Sequence, residues 1–309
     1  MKKIIFPFFT AFLFAITCLS QTNDKFVSLF NGKDLTNWSL EKPGGFEVDD
    51  GELITRSFGS GNDIYTNKSY ANFIFRVEYH LSKVGNSGVF IRCKSFDQTA
   101  GFEVQLLAPW TPYRDDLHCT GSIYGHVAVI NRPDETTGVW YKMEIKCDRN
   151  IITISVNDKI TTIADIDTVK TMVGKPFKGV IGFQANHSDR EQFAKFRNIY
   201  IRDLDADPDY VIKGFYEKND QLRTLAQAAG VELGAKMIIS LATLMSGDNP
   251  IAENGAKQTL FDIVAKASGP EVSKKRKKEV ALSLKKCIKT TSSGITKKYL
   301  EWLYGMIYN

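Results

Sequence analysis

A chain of 309 residues, 43% hydrophobic and 24% charged, holds enough apolar material for one large domain or two ordinary ones, and excludes intrinsic disorder and fibrous repeats. Aromatic residues reach 12%, with 20 Phe and 12 Tyr, which suits pleated sheet faces better than a helical bundle. The formal charge of +5 is unevenly placed. Val211 to Asn309 carry 16 Lys and Arg against 9 Asp and Glu, so residues 21–210 are mildly acidic, which argues against nucleic acid as a ligand.

The chain opens with Lys2 and Lys3, an apolar run from Ile4 to Leu19 that includes Pro7, and then Ser20, Gln21 and polar sequence. That order of charge, apolar stretch and small-residue exit predicts a secretory signal over residues 1–20. The run falls short of the ~20 residues a membrane span needs, and no other stretch approaches that length, so no transmembrane segment is expected. The expected product is a soluble exported protein, periplasmic or extracellular. Lipidation at Cys18 is the weaker reading, because Ala15, Ile16 and Thr17 fit poorly the Leu-small-small pattern of such sites. Export permits disulfides, but Cys93, Cys119, Cys147 and Cys287 are too irregularly spaced for a stapled scaffold or a zinc knuckle, and read as buried small hydrophobes with at most one bridge.

Residues 21–207 read as short strands separated by turn residues. Phe73 to Tyr79, Gly88 to Cys93, Phe102 to Leu107, Trp140 to Cys147, Ile151 to Val156 and Gly179 to Phe183 are such runs, several alternating at period two. Many short strands without intervening helices predict a two-sheet sandwich or jelly roll. From 208 to 309 the period changes. Leu222, Leu225, Ala226, Ala229, Leu233, Met237, Leu241 and Leu244 recur at helical spacing until Gly247, and Leu260, Ile263 and Val264 until Gly269. Pro270 is expected to open a further helix sharing Val280, Leu284, Cys287 and Ile288, before a last amphipathic stretch from Ile295 to Ile307. Three or four helices in antiparallel pairs are expected, a small all-α domain resembling HEAT-type hairpins, which could recruit a protein partner. The run Lys274 to Lys278 reads as a solvated helix face.

Phosphate loops, nucleophile elbows, His-Glu-x-x-His and paired-Cys metal motifs are absent from the sequence. What stands out instead is polar residues inside strands. Alternation puts Phe90 and Arg92 on one face of their strand, Glu103 and Gln105 on one face of theirs, and Gln184 at the end of the Gly179 to Phe183 run, just before Asn186 and His187. If these faces meet, Arg92, Glu103, Gln105 and Gln184 line one groove. Trp110, Tyr113, Tyr65 and Tyr124 are available as rings for stacking on sugar C–H faces. The competing explanation is that such residues simply face water on the outer sheet surface.

The chain resembles the 3-keto-disaccharide hydrolase family, a concanavalin A-like jelly roll, from about Phe26 to Leu204. The resemblance rests on Leu29 to Trp38 (LFNGKDLTNW), Asn86 to Arg92 (NSGVFIR), Gly101 to Leu107 (GFEVQLL), Thr120 to Gly125 (TGSIYG), Trp140, Asn157 in a turn, Ile181 to Gln184 with His187, and Phe196 to Ile199 (FRNI). Three features depart from the family pattern. Ala108 and Pro109 stand where an acid usually follows the Glu-x-Gln strand, with Asp115, Asp116 or His118 as substitutes. Tyr141 follows Trp140 in place of Asn, and the stretch after His187 is longer than usual.

The resemblance implies an exported enzyme acting on an oligosaccharide or 3-keto-glycoside. A ketone at C3 acidifies the C2 proton; a base removes it, the enolate is stabilised at O3, the C1 substituent leaves, and water adds. Glu103 and His187 are the expected proton-transfer residues, with His118 and His126 as weaker candidates. Arg92, Gln105 and Gln184 are expected to bind hydroxyls or the enolate oxygen, with Asn86, Ser87, Tyr124, Trp110, Tyr65 and His118 contributing to binding. No cofactor is required and no metal ligand set is apparent, although a divalent ion could assist the enolate. The alternatives are a non-catalytic carbohydrate-binding module of the same fold and a laminin-G-type adhesion domain.

Overall fold

The computed structural model describes residues 25–55, 62–110, 114–185 and 192–308. The expected signal segment, Cys18, Tyr113 and His187 lie outside the described residues. Thirteen strands are described: β1 (Val27–Ser28), β2 (Trp38–Leu40), β3 (Phe46–Asp49), β4 (Glu52–Thr55), β5 (Ile64–Thr66), β6 (Phe73–Leu81), β7 (Asn86–Cys93), β8 (Phe102–Leu107), β9 (Trp140–Asp148), β10 (Ile151–Val156), β11 (Lys159–Asp165), β12 (Val180–Phe183) and β13 (Ala194–Asp203). They form two antiparallel sheets. One runs β11-β10-β9-β6-β13-β4-β3, with β1 also paired to β13; the other runs β2-β5-β12-β7-β8.

The period-two strands explain the layering. Phe73, Phe75, Val77 and Tyr79 of β6 point inward from the large sheet, while Val89 and Ile91, Val104 and Leu106, and Ile181 and Phe183 point inward from the small one, closing a single apolar core. The family-like motifs act as ties within this frame. Trp38 stacks on Phe183 at 5.5 Å and its indole N–H donates to Leu29 O at 2.8 Å. Asn157 and Asp158 adopt φ of 48° and 63° in the two-residue β10–β11 turn, a conformation Asn tolerates better than most residues. The segment Thr120 to Tyr124 lies along the outer edge of β8: Gly121 N–H and Tyr124 N–H donate to Gln105 O and Glu103 O, each at 2.9 Å.

The four described cysteines are buried and free, so the allowance for one bridge is not realised among them.

Beyond β13 the described chain is helical: α1 (Pro208–Val211), α2 (Asp220–Leu233), α3 (Ile238–Leu244), α4 (Pro250–Ser268), α5 (Lys274–Thr290) and α6 (Gly294–Met306). The helical period expected from Leu222 through Leu244 is divided, because Gly234 takes φ +60° and terminates α2 before α3 begins. With the short α1 ahead of them, six described helices stand where three or four were expected. Pro270 does not open α5; Ser273 caps it, its hydroxyl accepting from Arg276 N–H, and Pro270 lies in the preceding turn. The helices share a second apolar core around Leu241, Leu260, Val264, Leu284 and Leu303, yet Leu222 of α2 is buried in the sandwich core. Tyr210 O–H donates to Asp148 at 2.7 Å and Arg149 pairs with Glu217 at 2.9 Å across the same junction. The basic run starts α5, and among the described residues it makes no ion pair within 4 Å. No described helix is long and apolar enough to cross a membrane.

Candidate active site

The outer face of the five-stranded sheet is built as two adjacent rungs. Antiparallel pairing sets Tyr65, Gly182, Phe90 and Glu103 opposite one another on β5, β12, β7 and β8. Two residues along, on the same face, stand Asp63, Gln184, Gly88 and Gln105. Gly88 pairs with Gln105, Gln184 N–H donates to Gly88 O at 2.9 Å, and Asp63 lies one residue beyond the Ile64–Phe183 pair.

A glycine interrupts each rung, and a side chain fills each gap. A Cβ on Gly182 would stand 2.7 Å from Tyr65 Cδ1, because the Tyr65 ring lies against it and stacks on Phe90 at 5.9 Å. A Cβ on Gly88 would stand 2.2 Å from Glu103 Oε1 and 2.8 Å from Cγ. Glu103 therefore leans diagonally over Gly88, from its own rung toward Gln184. The Gly88→Ala variant is expected to keep the fold, since the obstacle is the flexible end of one side chain, and to displace the carboxyl. A misplacement of about 1 Å can cost ~10²-fold in rate. Thermal unfolding within a few degrees of the parent, together with that loss of turnover, checks the geometry.

A cleft of about 390 Å³ opens over these rungs, lined by Asn86, Phe90, Gln98, Thr99, Gly101, Glu103, Gln105, Tyr124, His126, Lys175 and Gln184. Asn86 Oδ1, Gln98 Oε1, Gln184 Oε1 and His126 Nδ1 are buried there without a protein partner. Buried polar atoms are normally satisfied, so four unpartnered ones on residues lining one cleft fit a ligand rich in hydroxyl groups. Lys175 Nζ donates to Thr99 O at 3.0 Å and Gly101 O at 2.9 Å, which fixes its ammonium at the cleft wall.

The charges are set by burial. Glu103 keeps part of its surface open, but protein crowds the carboxyl closely; lost solvation first, and the charge of Asp63 second, push it up to about 8. Burial also raises Asp63, to about 6, with the Glu41 charge adding to it and hydrogen bonds from Ala185 N–H and Tyr65 O–H opposing. Burial, assisted by the Lys175 ammonium, holds His126 below the ordinary histidine range. At neutral pH the cleft thus presents a protonated Glu103 and an uncharged His126.

Of the residues expected from sequence, Glu103, Gln105, Gln184, Asn86 and Tyr124 meet in the cleft. Arg92 does not. The β7–β12 register carries one extra residue on β7 between its pairs with Gly182 and Val180, and Arg92 sits there at φ +54°. The bulge slips the alternation, so Cys93 joins Phe90 on the outer face while Arg92 turns inward, is 0% exposed and donates to Ala71 O at 2.7 and 3.1 Å. Ser87 points away from the cleft as an alternate residue must, and its buried hydroxyl donates to Gln184 O at 2.7 Å. Tyr65 stands on the outer face but is buried, met edge-on by Phe96 at 5.7 Å, and is not set at the rim. Trp110 is 53% exposed but does not line the cleft. His118 supports the site from outside: Nδ1 lies 2.7 Å from Asp115 Oδ1, and the ring meets Tyr124 edge-on at 4.8 Å.

Asp63, Gln98, Thr99 and Lys175 were not legible in the sequence, and His126 ranked only as a weaker candidate. Asp63 precedes a strand of three residues, too short to show a period, and Lys175 arrives from the β11–β12 connection. Among the described residues no group of three or more His, Cys, Asp and Glu is placed to hold a metal ion.

No match was found among curated proteins. Among solved structures, a candidate glycosyl hydrolase from Parabacteroides distasonis is 27% identical with a TM-score of 0.53, covering 59% of this chain and 100% of that one. A second candidate glycosyl hydrolase from the same organism, 23% identical with a TM-score of 0.50, covers 58% and 94% and shares the fold. The 3-keto-alpha-glucoside-1,2-lyase-like domain matches residues 25–202, the whole sandwich without the helices. On the strength of that match, the chain belongs to the 3-keto-alpha-glucoside-1,2-lyase-like, or 3-keto-disaccharide hydrolase, domain family.

Proposed function

We propose that this protein, exported through its N-terminal segment, cleaves 3-keto-glycosides by elimination across C1 and C2 followed by addition of water. One observation carries the reading: Glu103, whose carboxyl burial keeps protonated, and His126, whose imidazole burial keeps uncharged, line the same cleft. A general acid and a general base with environments pushed in opposite directions are what such an elimination requires.

The His126 imidazole takes the C2 proton, and the C2–H electrons pass to O3 as an enolate. The Lys175 ammonium and the amide N–H groups of the cleft stabilise that oxygen. As the enolate collapses, the C1–O bond breaks and Glu103 gives its proton to the departing oxygen. The Glu103 carboxylate then accepts a proton from the water that adds at C1, and His126 returns its proton to C2. The unpartnered carbonyl oxygens of Asn86, Gln98 and Gln184 accept from sugar hydroxyls. A substrate whose C2 proton is already acidified removes the need for the two flanking carboxylates of an ordinary glycosidase.

The test is p-nitrophenyl 3-keto-α-glucoside beside the unoxidised glucoside, each with C2 protonated and deuterated. Nitrophenol release from the keto substrate alone, slowed by C2 deuterium, is expected. Equal turnover of the unoxidised glucoside would overturn the mechanism, and binding of the keto sugar without turnover would make the protein a carbohydrate-binding module.

A further inference from the structure

Asp63 is 3% exposed, does not line the cleft, and has no cation partner among the described residues. A carboxylate buried in a sheet without a counter-ion is costly, so its retention needs a compensating role. Its contacts indicate one. Asp63 Oδ1 accepts from Ala185 N–H at 2.8 Å, and Oδ2 accepts from Tyr65 O–H at 3.4 Å. Ala185 directly follows Gln184, whose carbonyl is held by Ser87 and whose N–H is held by Gly88, so Asp63 closes the third tie on the backbone that presents Gln184 to the cleft.

The register gives the second half. Asp63, Gln184 and Gly88 are successive positions on one rung, and the Glu103 carboxyl lies over Gly88. At ~4.8 Å per strand, Asp63 and the Glu103 carboxyl over Gly88 lie about two strand spacings apart across Gln184, near enough for charges on a largely buried sheet face to couple. The other titratable or charged groups around Glu103 are Cys93 from β7, Tyr124 and His126 from the segment after β8, and Lys175 from the β11–β12 connection; Glu41, next to Asp63 on the β2 side, faces Asp63 itself. The Lys175 ammonium is the one cation in this set, and two backbone carbonyls already hold it.

We propose that Asp63 is a positioning residue: it anchors the end of β12 that presents Gln184, and its negative charge adds to burial in favouring the proton on Glu103 that the leaving group receives. The second clause rests on the reading of Glu103 as the proton donor.

The experiment is the titration of the Glu103 carboxyl carbon by NMR in the full ¹³C-Glu-labelled chain, assigned by its disappearance in Glu103→Gln, for the parent and for Asp63→Asn. The Asn variant removes the charge and keeps the oxygen that accepts from Ala185. Taking away a nearby negative charge makes Glu103 easier to ionise, so its midpoint is expected to move to lower pH by about one unit. The rate on the keto substrate then falls about fivefold at pH 8 and little at pH 6, with KM unchanged, since a shift of about one unit leaves roughly a tenth of Glu103 protonated at pH 8 instead of half. Asp63→Glu, which restores the charge, is expected to restore the basic limb. A Glu103 midpoint that does not move, with activity lowered equally at every pH, would reduce Asp63 to a structural residue. If Asp63→Asn does not fold, the parent decides: a Glu103 titrating in the ordinary carboxylate range overturns the proposal. Because the titration needs no substrate, a responsive Glu103 in a protein that turns over no 3-keto-glycoside would sink the enzymatic reading and leave the charge coupling standing.

Discussion

Glu103→Gln is expected to lower kcat on a 3-keto-glycoside by about 10²- to 10⁴-fold, the usual contribution of a positioned general acid. The amide is nearly isosteric with the protonated carboxyl and can occupy the same place over Gly88, so the cleft and its other polar atoms stay where they are. What it lacks is a transferable proton. Binding of 3-ketoglucose, measured by calorimetry, should therefore change by no more than a few-fold while turnover collapses. In the parent the rate should fall as pH rises through about 8, because the reactive form is the protonated one, and that limb should vanish with the carboxyl. Unchanged turnover in Glu103→Gln would remove this residue from the chemistry.

Arg92→Ala is expected to lower the stability of the sandwich by roughly 3–5 kcal/mol, while KM in the folded protein stays at its parent value. The guanidinium is wholly buried, donates twice to Ala71 O and sits 5.7 Å from the centre of the Phe177 ring. Truncation strands that carbonyl in the interior and opens a cavity the size of the lost side chain, two separately costly effects. Urea unfolding followed by fluorescence measures the loss. The sugar-ligand role expected from strand alternation would give the opposite pattern, weakened substrate binding at unchanged stability, so one variant separates the two.

Arg92 and Glu103 show how far strand alternation could be read from the chain. Period two in Phe102 to Leu107 correctly put Glu103 and Gln105 on one face, because β8 is regular and its partner β7 stays in register through Asn86 to Ile91. The same rule fails one residue later, at Arg92, because the added residue in β7 becomes visible only when its register against β12 is known. The period in Leu222 to Leu244 fails similarly: it records which residues are buried, but not that Gly234 ends one helix and that Leu222 belongs to the sandwich core.

Composition, local period and ordered motifs were enough to determine two sheets followed by helices, the family resemblance, and the shared face of Glu103 and Gln105. Those features depend on short-range alternation and on side chains a few residues apart, which a linear chain records directly. Tertiary structure alone decided that Gln184, Asp63, His126 and Lys175 join those two residues, that Arg92 does not, that Tyr65 is covered where a stacking ring was expected, and that the Glu103 carboxyl holds its proton. Each of these depends on strand register and on exclusion of water by residues distant in the chain, and burial, not residue type, sets the charge state of a carboxyl group.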